Sequence, residues 1–253
     1  MLGPWRRLTE EVARWQDAGR TVEFWWRDDD AARRDPALDR LLALATRSTV
    51  PVALAVVPAS ADLELLAQLG GRVSVLQHGT DHVNRAASGA KKTEFPSAEP
   101  RDAALARLET GRARLRAGAG DRFIPVLAPP WNRIASALIV DLPAAGYLGL
   151  TCFGARENFE PVRGLRQVNT HIDIVAWKGD RGFVGEGAAI EAALRHLASR
   201  RSGSADTREA TGWLTHHQVH DWAAWDFLER LFDTTCAIQG VAWRRAEDLF
   251  QVS

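Results

Sequence analysis

The sequence predicts an α/β fold on a parallel sheet, either closed as a barrel or open and doubly wound. Short apolar runs alternate with stretches of helical period along all 253 residues, the mark of repeated strand–helix units. Polar and titratable residues gather where the apolar runs end, which is where ligands bind in both architectures. About seven units follow one another without an internal repeat, a low-complexity linker or a composition break. Residues 1–253 are therefore expected to form a single domain.

The elements follow in order. "MLGPWRRLTEEVARWQDAGR" reads as an amphipathic helix; its arginines are not followed by the apolar run of a signal peptide. "VEFWW" (22–26) is a strand and "DPALDRLLALATR" (35–47) a helix. "PVALAVVP" (51–58) is a continuous apolar run closed by proline, hence a buried strand. A helix over 61–70 ends at glycine, and "RVSVLQHG" (72–79) is a strand ending on polar residues. Thr80 to Pro100 lacks periodicity and is expected to be a long loop. A helix (101–117), a strand (123–130), a helix (134–146), and strands at 147–153 and 167–177 come next. A helix (186–200), a strand (211–217) and a helix (221–235) lead to a tail with a short strand and a helical turn.

Composition removes several functions. The 32 basic residues balance 32 acidic ones, so no charge excess favours nucleic acid or an anionic membrane. No window is apolar for long enough to span a bilayer. Cys152 and Cys236 are far apart and form no CxxC pair, which suits a reducing compartment. A cytoplasmic location is expected, and oligomeric state is not legible. Ten tryptophans suit core packing, or a cleft that stacks flat apolar faces such as sugars.

Chemistry concentrates at the strand ends. The first strand leads into Asp28-Asp29-Asp30, the third into "QHGTDH", the fourth into "APPWNR". The sixth carries His171 and Asp173, and the last ends "THHQVH". Three adjacent carboxylates repel one another unless a cation or proton intervenes; taken alone they also suit a solvated turn. His78 and His82 are four apart and would face the same way after one helical turn. Two imidazoles and a carboxylate leave open positions on a divalent ion, as in catalytic sites. Taken alone, His216, His217 and His220 suit a surface cluster, His196 an exposed helix position, Cys152 the core, and Glu94 with Lys91 and Lys92 a solvated loop.

The Asp-Asp strand end, HxxxH, Pro-Pro-Trp and "LTHH", in that order over residues 28 to 217, resemble the polysaccharide deacetylases, the NodB-like carbohydrate esterases. The resemblance implies a distorted (β/α)7 barrel, a divalent metal ion, zinc above others, and removal of an acetyl group from an N-acetylated sugar or related conjugate. It places the base at Asp29 and the metal ligands at Asp30, His78 and His82. A register shifted by one would give Asp28 and Asp29 the first two roles. The Trp131 N–H would hold the oxyanion, His216 would be the acid, and Leu214 would line the acyl pocket. His217 stands where the family often has aspartate. The family usually carries an arginine before the proline pair, holding the base; here that residue is Ala128, and Arg27 or Arg133 are the available substitutes. The fourth motif is matched loosely by "HIDIVAW", where His171 or Asp173 would orient a catalytic partner or Asp173 would cap a strand. The arginine departure motivates an alternative, a family member that binds carbohydrate without turning it over. With a cytoplasmic setting, a small glycoside, sugar-nucleotide or lipid-linked sugar suits better than intact wall polymer.

Overall fold

The computed structural model describes residues 3–179 and 181–251. In chain order the elements are α1 (Pro4–Asp17), β1 (Val22–Ala31), α2 (Pro36–Ser48), β2 (Val52–Val56), α3 (Leu63–Gln68), β3 (Val73–His78) and α4 (Arg101–Ala119). β4 (Phe123–Ala128), α5 (Ser136–Ile139), β5 (Gly149–Leu150), β6 (Arg166–Gln167) and β7 (Ile172–Asp173) follow, then α6 (Glu186–Ser202), β8 (Thr211–Thr215), α7 (Trp222–Ala237), β9 (Val241–Trp243) and α8 (Ala246–Phe250).

Every strand pairing is parallel, in the order β6-β5-β4-β3-β2-β1-β8-β7. β6 and β7 belong to one extended segment, residues 166–173. Its start pairs with β5 and its end with β8, and a bridge from Phe153 to Thr170 continues the first pairing. That segment curls the sheet back on itself, so the expected distorted (β/α)7 barrel is found. β9 adds to the start of β1.

Differences from the expected boundaries have local causes. β1 does not stop at Trp26 but runs on to Ala31, because Arg27, Asp28 and Asp29 find buried partners on the two sides of the sheet. The stretch 134–146 is helical only over Ser136–Ile139 and then turns, since Pro143 blocks further helix and Gly146 takes φ 83°. In 167–177 the chain leaves the sheet after Asp173. The Thr80–Pro100 segment has no helix or strand, as expected.

Alternation sorts the side chains into layers. Trp26 and Trp213 join the layer between sheet and helices, with Phe227 and Phe232 of α7 and Leu38 and Leu41 of α2. Trp25 belongs to a separate interior cluster with Ala53, Leu76, Val126 and Phe250. α8 thereby plugs the barrel below the strand ends. The abundant tryptophans are largely core: Trp15, Trp25, Trp26 and Trp213 are fully buried.

Candidate active site

β1 builds the site through its alternation. Trp25, Arg27 and Asp29 share the interior side, while Trp26 and Asp28 share the other. At Asp30 the backbone turns left-handed (φ 68°), a conformation that Asp tolerates better than most residues. The three aspartates thus reach three environments. Asp28 is fully buried, accepting hydrogen bonds from Thr215 Oγ1 (2.6 Å), His217 N–H (3.0 Å) and the His217 ring. Burial opposes its charge, but the His217 imidazole holds its carboxyl below the usual range. The same pairing pushes His217 up against its own burial. Asp28 therefore fastens β1 to the end of β8, and the carboxylate that meets His78 and His82 is that of Asp30, so the shifted register has no geometric counterpart. His216 and His217 are buried and do not form a surface cluster.

Asp30 meets His78 and His82. Its Oδ1 lies 3.1 Å from His78 Nε2 and 3.2 Å from His82 Nε2, and one ligand atom from each residue falls within 4.8 Å of the others. Burial works against the Asp30 charge, yet hydrogen bonds from both imidazoles keep its carboxyl far below the usual range. His78 is raised although burial lowers it, because Asp29 and Asp30 stand nearby. His78 Nδ1 donates to the Ala128 carbonyl at 2.9 Å, which aims Nε2 at the cluster as metal-binding histidines require. The donor set and this outer hydrogen bond fit a divalent cation.

The two imidazoles do not converge by the expected helical turn. Gly79 and His82 take φ 57° and 58°, and Glu94 organises the loop between them. Glu94 is fully buried and is not part of a solvated loop as expected. Its carboxylate accepts from the N–H groups of Thr80 (2.8 Å), Asp81 (3.4 Å) and His82 (3.2 Å), and from the Thr80 hydroxyl. Gly79 is required here: a Cβ would strike the Glu94 carboxylate and sit 2.6 Å from Pro130 Cδ. Lys91 and Lys92 stay exposed.

Asp29 faces the interior, 2% exposed. Arg27 Nη2 donates to its Oδ2 at 2.9 Å, and Nε lies 2.8 Å from Oδ1, off-line for a hydrogen bond. His216 Nε2 stands 4.0 Å from Asp29 Oδ2. Trp131 and Asn132 both take φ 55° in the turn after β4, and the Trp131 indole packs on His82 with centroids 4.5 Å apart. Among the described residues the Trp131 N–H has no protein acceptor. Leu214, opposite Arg27 in the β1–β8 register, is fully buried beneath His216.

Asp173 accepts from Val175 N–H (3.0 Å) and from the Trp177 indole N–H (2.7 Å). Trp177 in turn meets the His216 ring edge-on at 4.6 Å. Burial raises the Asp173 carboxyl, the His216 charge opposing it. Trp177, which sequence reasoning did not single out, therefore links Asp173 to His216; its position four residues after Asp173 was the available signal.

His171 does not orient a catalytic partner. It sits where β7 and β8 begin, away from the strand ends that carry the site. Its Nδ1 accepts the Gly212 N–H at 2.9 Å. The neutral imidazole then carries its proton on Nε2, 3.4 Å from Glu209 Oε2. His196, expected to be exposed, is buried and stacks on His171 at 3.5 Å. His171, His196 and Glu209 also bring ligand-type atoms within 4.8 Å of one another. The proton on His171 Nε2 and the neighbouring guanidinium groups of Arg156 and Arg200 set that cluster apart from a metal centre. Cys152 is half-buried and packs against the cluster of Phe95, Leu108, Leu127 and Leu150; desolvation pushes its thiol up to about 11.

Comparison with solved structures shows the fold: the parallel barrel with carboxylates and imidazoles at its strand ends is similar in fold to structures described as polysaccharide deacetylases and family 4 esterases. A CE4 esterase from Streptococcus mutans superposes with a TM-score of 0.58 at 13% identity, over 94% of this chain and 90% of that one. The peptidoglycan deacetylase PdaC from Bacillus subtilis gives 0.56 at 14% identity, over 92% and 91%. A family 4 acetyl xylan esterase from Clostridium thermocellum, in complex with a cobalt ion, gives 0.50 at 11%, over 90% of each chain. No protein-family model matches the chain, and no curated protein matches it by sequence. The resemblance to the polysaccharide deacetylases holds in the fold.

Proposed function

We propose that this protein is a metal-dependent hydrolase that removes an acetyl group from an N-acetylated sugar or related carbohydrate conjugate, with the whole chain acting as one catalytic domain. The observation that carries the reading is the convergence of Asp30, His78 and His82 beside a separate Asp29–His216 pair. Fold neighbours described as deacetylases and esterases, one with a cobalt ion, agree with it. Asp30, His78 and His82 would hold the divalent cation, with zinc the first choice for two imidazoles and a carboxylate. Such a cation polarises a carbonyl and acidifies bound water.

The chain's own groups supply the proton transfers. Asp29 is the base that accepts the proton of the attacking water. Arg27 beside it aims the carboxylate, with Nη2 donating to Oδ2 at 2.9 Å. The Trp131 N–H stabilises the oxyanion, a role that backbone donors fill when no protein group already occupies them. His216 gives its proton to the departing amine, and Leu214 lines the space for the acetyl methyl. Trp131 and Trp177 offer flat faces to sugar rings at the two sides of the site.

The test combines metal and turnover. Protein prepared without chelator is expected to carry about one divalent ion per chain, and His78→Ala to carry none. Acetate release from acetylated sugars is expected in the wild type and to fall by about 10³-fold or more in Asp29→Asn and His216→Ala. Equal metal content in wild type and His78→Ala would defeat the metal assignment.

A further inference from the structure

We infer that Arg27 is a positioning residue that sets the base and the oxyanion turn together, doing from β1 what this chain cannot do from β4. The inference rests on the hydrolytic reading above and concerns how its parts are aligned.

Arg27 is fully buried, and its guanidinium is shared among three strand ends. Nη2 and Nε face the two oxygens of Asp29 at 2.9 and 2.8 Å. Nη2 also donates to Asn132 Oδ1 at 2.6 Å. Nη1 donates to the Thr151 carbonyl at 3.1 Å and to its hydroxyl at 2.8 Å. Asn132 adjoins Trp131, and both hold a left-handed backbone that costs free energy unless the surroundings enforce it. The Asn132 amide is pinned at the same guanidinium that grips the base. A lysine could not reproduce this, because only the planar fork presents donors in so many fixed directions.

The position before the proline pair carries no cation. Ala128 is fully buried on the interior side of β4, two residues past Val126 of the interior cluster. Arg133, the other candidate, turns outward and donates to the Lys92 carbonyl at 3.1 Å. Arg27 is therefore the cation on the base, and its reach to Asn132 makes the alignment of base and oxyanion donor a single event.

The test separates positioning from bulk stability. In Arg27→Met, kcat is expected to fall by about 10²-fold, the cost of a small misplacement, while KM and metal content hold. Asn132→Ala should lower kcat less, since Asp29 keeps its partner. Placing the cation on β4, as Arg27→Ala with Ala128→Arg, should restore part of the lost kcat. An unchanged kcat in Arg27→Met, or a parallel loss of kcat, KM and bound metal, would overturn the inference. Should Arg27→Met not fold, Arg27→Lys and Asn132→Ala carry the same comparison of kcat with KM. A crystal structure of the folded Arg27 variant gives a readout without turnover. Displacement of both the Asp29 carboxylate and the Trp131–Asn132 turn supports positioning, and neither moving refutes it. If the wild type releases acetate from no sugar, the hydrolytic reading fails and the structural comparison alone decides the role of Arg27.

Discussion

At Asp30 one dihedral angle decides the chemistry. Continued alternation would have put its carboxylate on the side of Asp28, in the sheet–helix layer. The left-handed turn (φ 68°) instead delivers it to His78 and His82. Glu94 acts on the same small scale, collecting three backbone N–H groups and one hydroxyl. Glu94→Ala strands those buried donors, at about 1–3 kcal/mol for each that finds no water. It should therefore lower the urea midpoint and weaken metal affinity by freeing His82, both measurable on one preparation. Metal affinity unchanged in a folded Glu94→Ala protein would mean that the loop holds His82 by other contacts.

At the scale of elements, β1 is the organising strand. It pairs with β2, β8 and β9 and carries the interior column Trp25, Arg27, Asp29. On its other side the Asp28–His217 pair ties it to the end of β8, so that His216 is presented beside Asp29. Removing one partner of a buried pair leaves an uncompensated group and costs about 3–5 kcal/mol. His217→Leu is expected to lose stability on that order in chemical denaturation. It should also depress turnover by loosening His216, whereas metal content should stay near the wild-type level because Asp30, His78 and His82 are untouched. Gly79→Ala attacks the other organising element, the turn after β3. Its φ of 57° and its contact with Pro130 leave no room for a methyl group, so loss of bound metal is expected.

Across the whole molecule, function and support occupy opposite ends of the barrel. The upper end holds the candidate site; the lower holds the α8 plug and the His171–His196 stack. Burial, with help from His171 and Arg200, lowers His196 to about 2, whereas its ordinary value is 6.5. On acidification the unfolded chain takes up a proton that the folded chain refuses, so stability falls below pH 6.5. The slope approaches about 1.4 kcal/mol per pH unit well below that value. His196→Gln should remove this contribution and flatten the acid limb, as read from denaturation at about pH 5.5 and 4.5. Parallel acid limbs in wild type and variant would show that His196 is not held neutral. Among the described residues no helix is long and apolar enough to cross a membrane.

Much of this was legible in the residue order. Apolar period and strand-end polarity are local properties, so the parallel sheet, the seven-strand count, the His78–His82 pair and the neighbouring aspartate cluster could be read from spacing, whereas Asp30 was singled out within that cluster only by the family resemblance. Short strands such as β5, and the split of 166–173, could not, because their boundaries depend on which neighbour supplies hydrogen bonds. The roles of Glu94, His171 and His196 were also out of reach, and so was the choice of Arg27 over Arg133. Each depends on a partner far along the chain: Arg27 on Asn132 and Thr151, His196 on His171 and Thr211.

The sequence by itself determined the repeating α/β units, the end of the sheet where chemistry collects, and the residue types available there. Only the tertiary structure decided which aspartate faces which histidine and which arginine grips Asp29. The reason is physical: periodicity follows from the backbone's own geometry, whereas burial and pairing of charge depend on groups that meet only when the barrel closes.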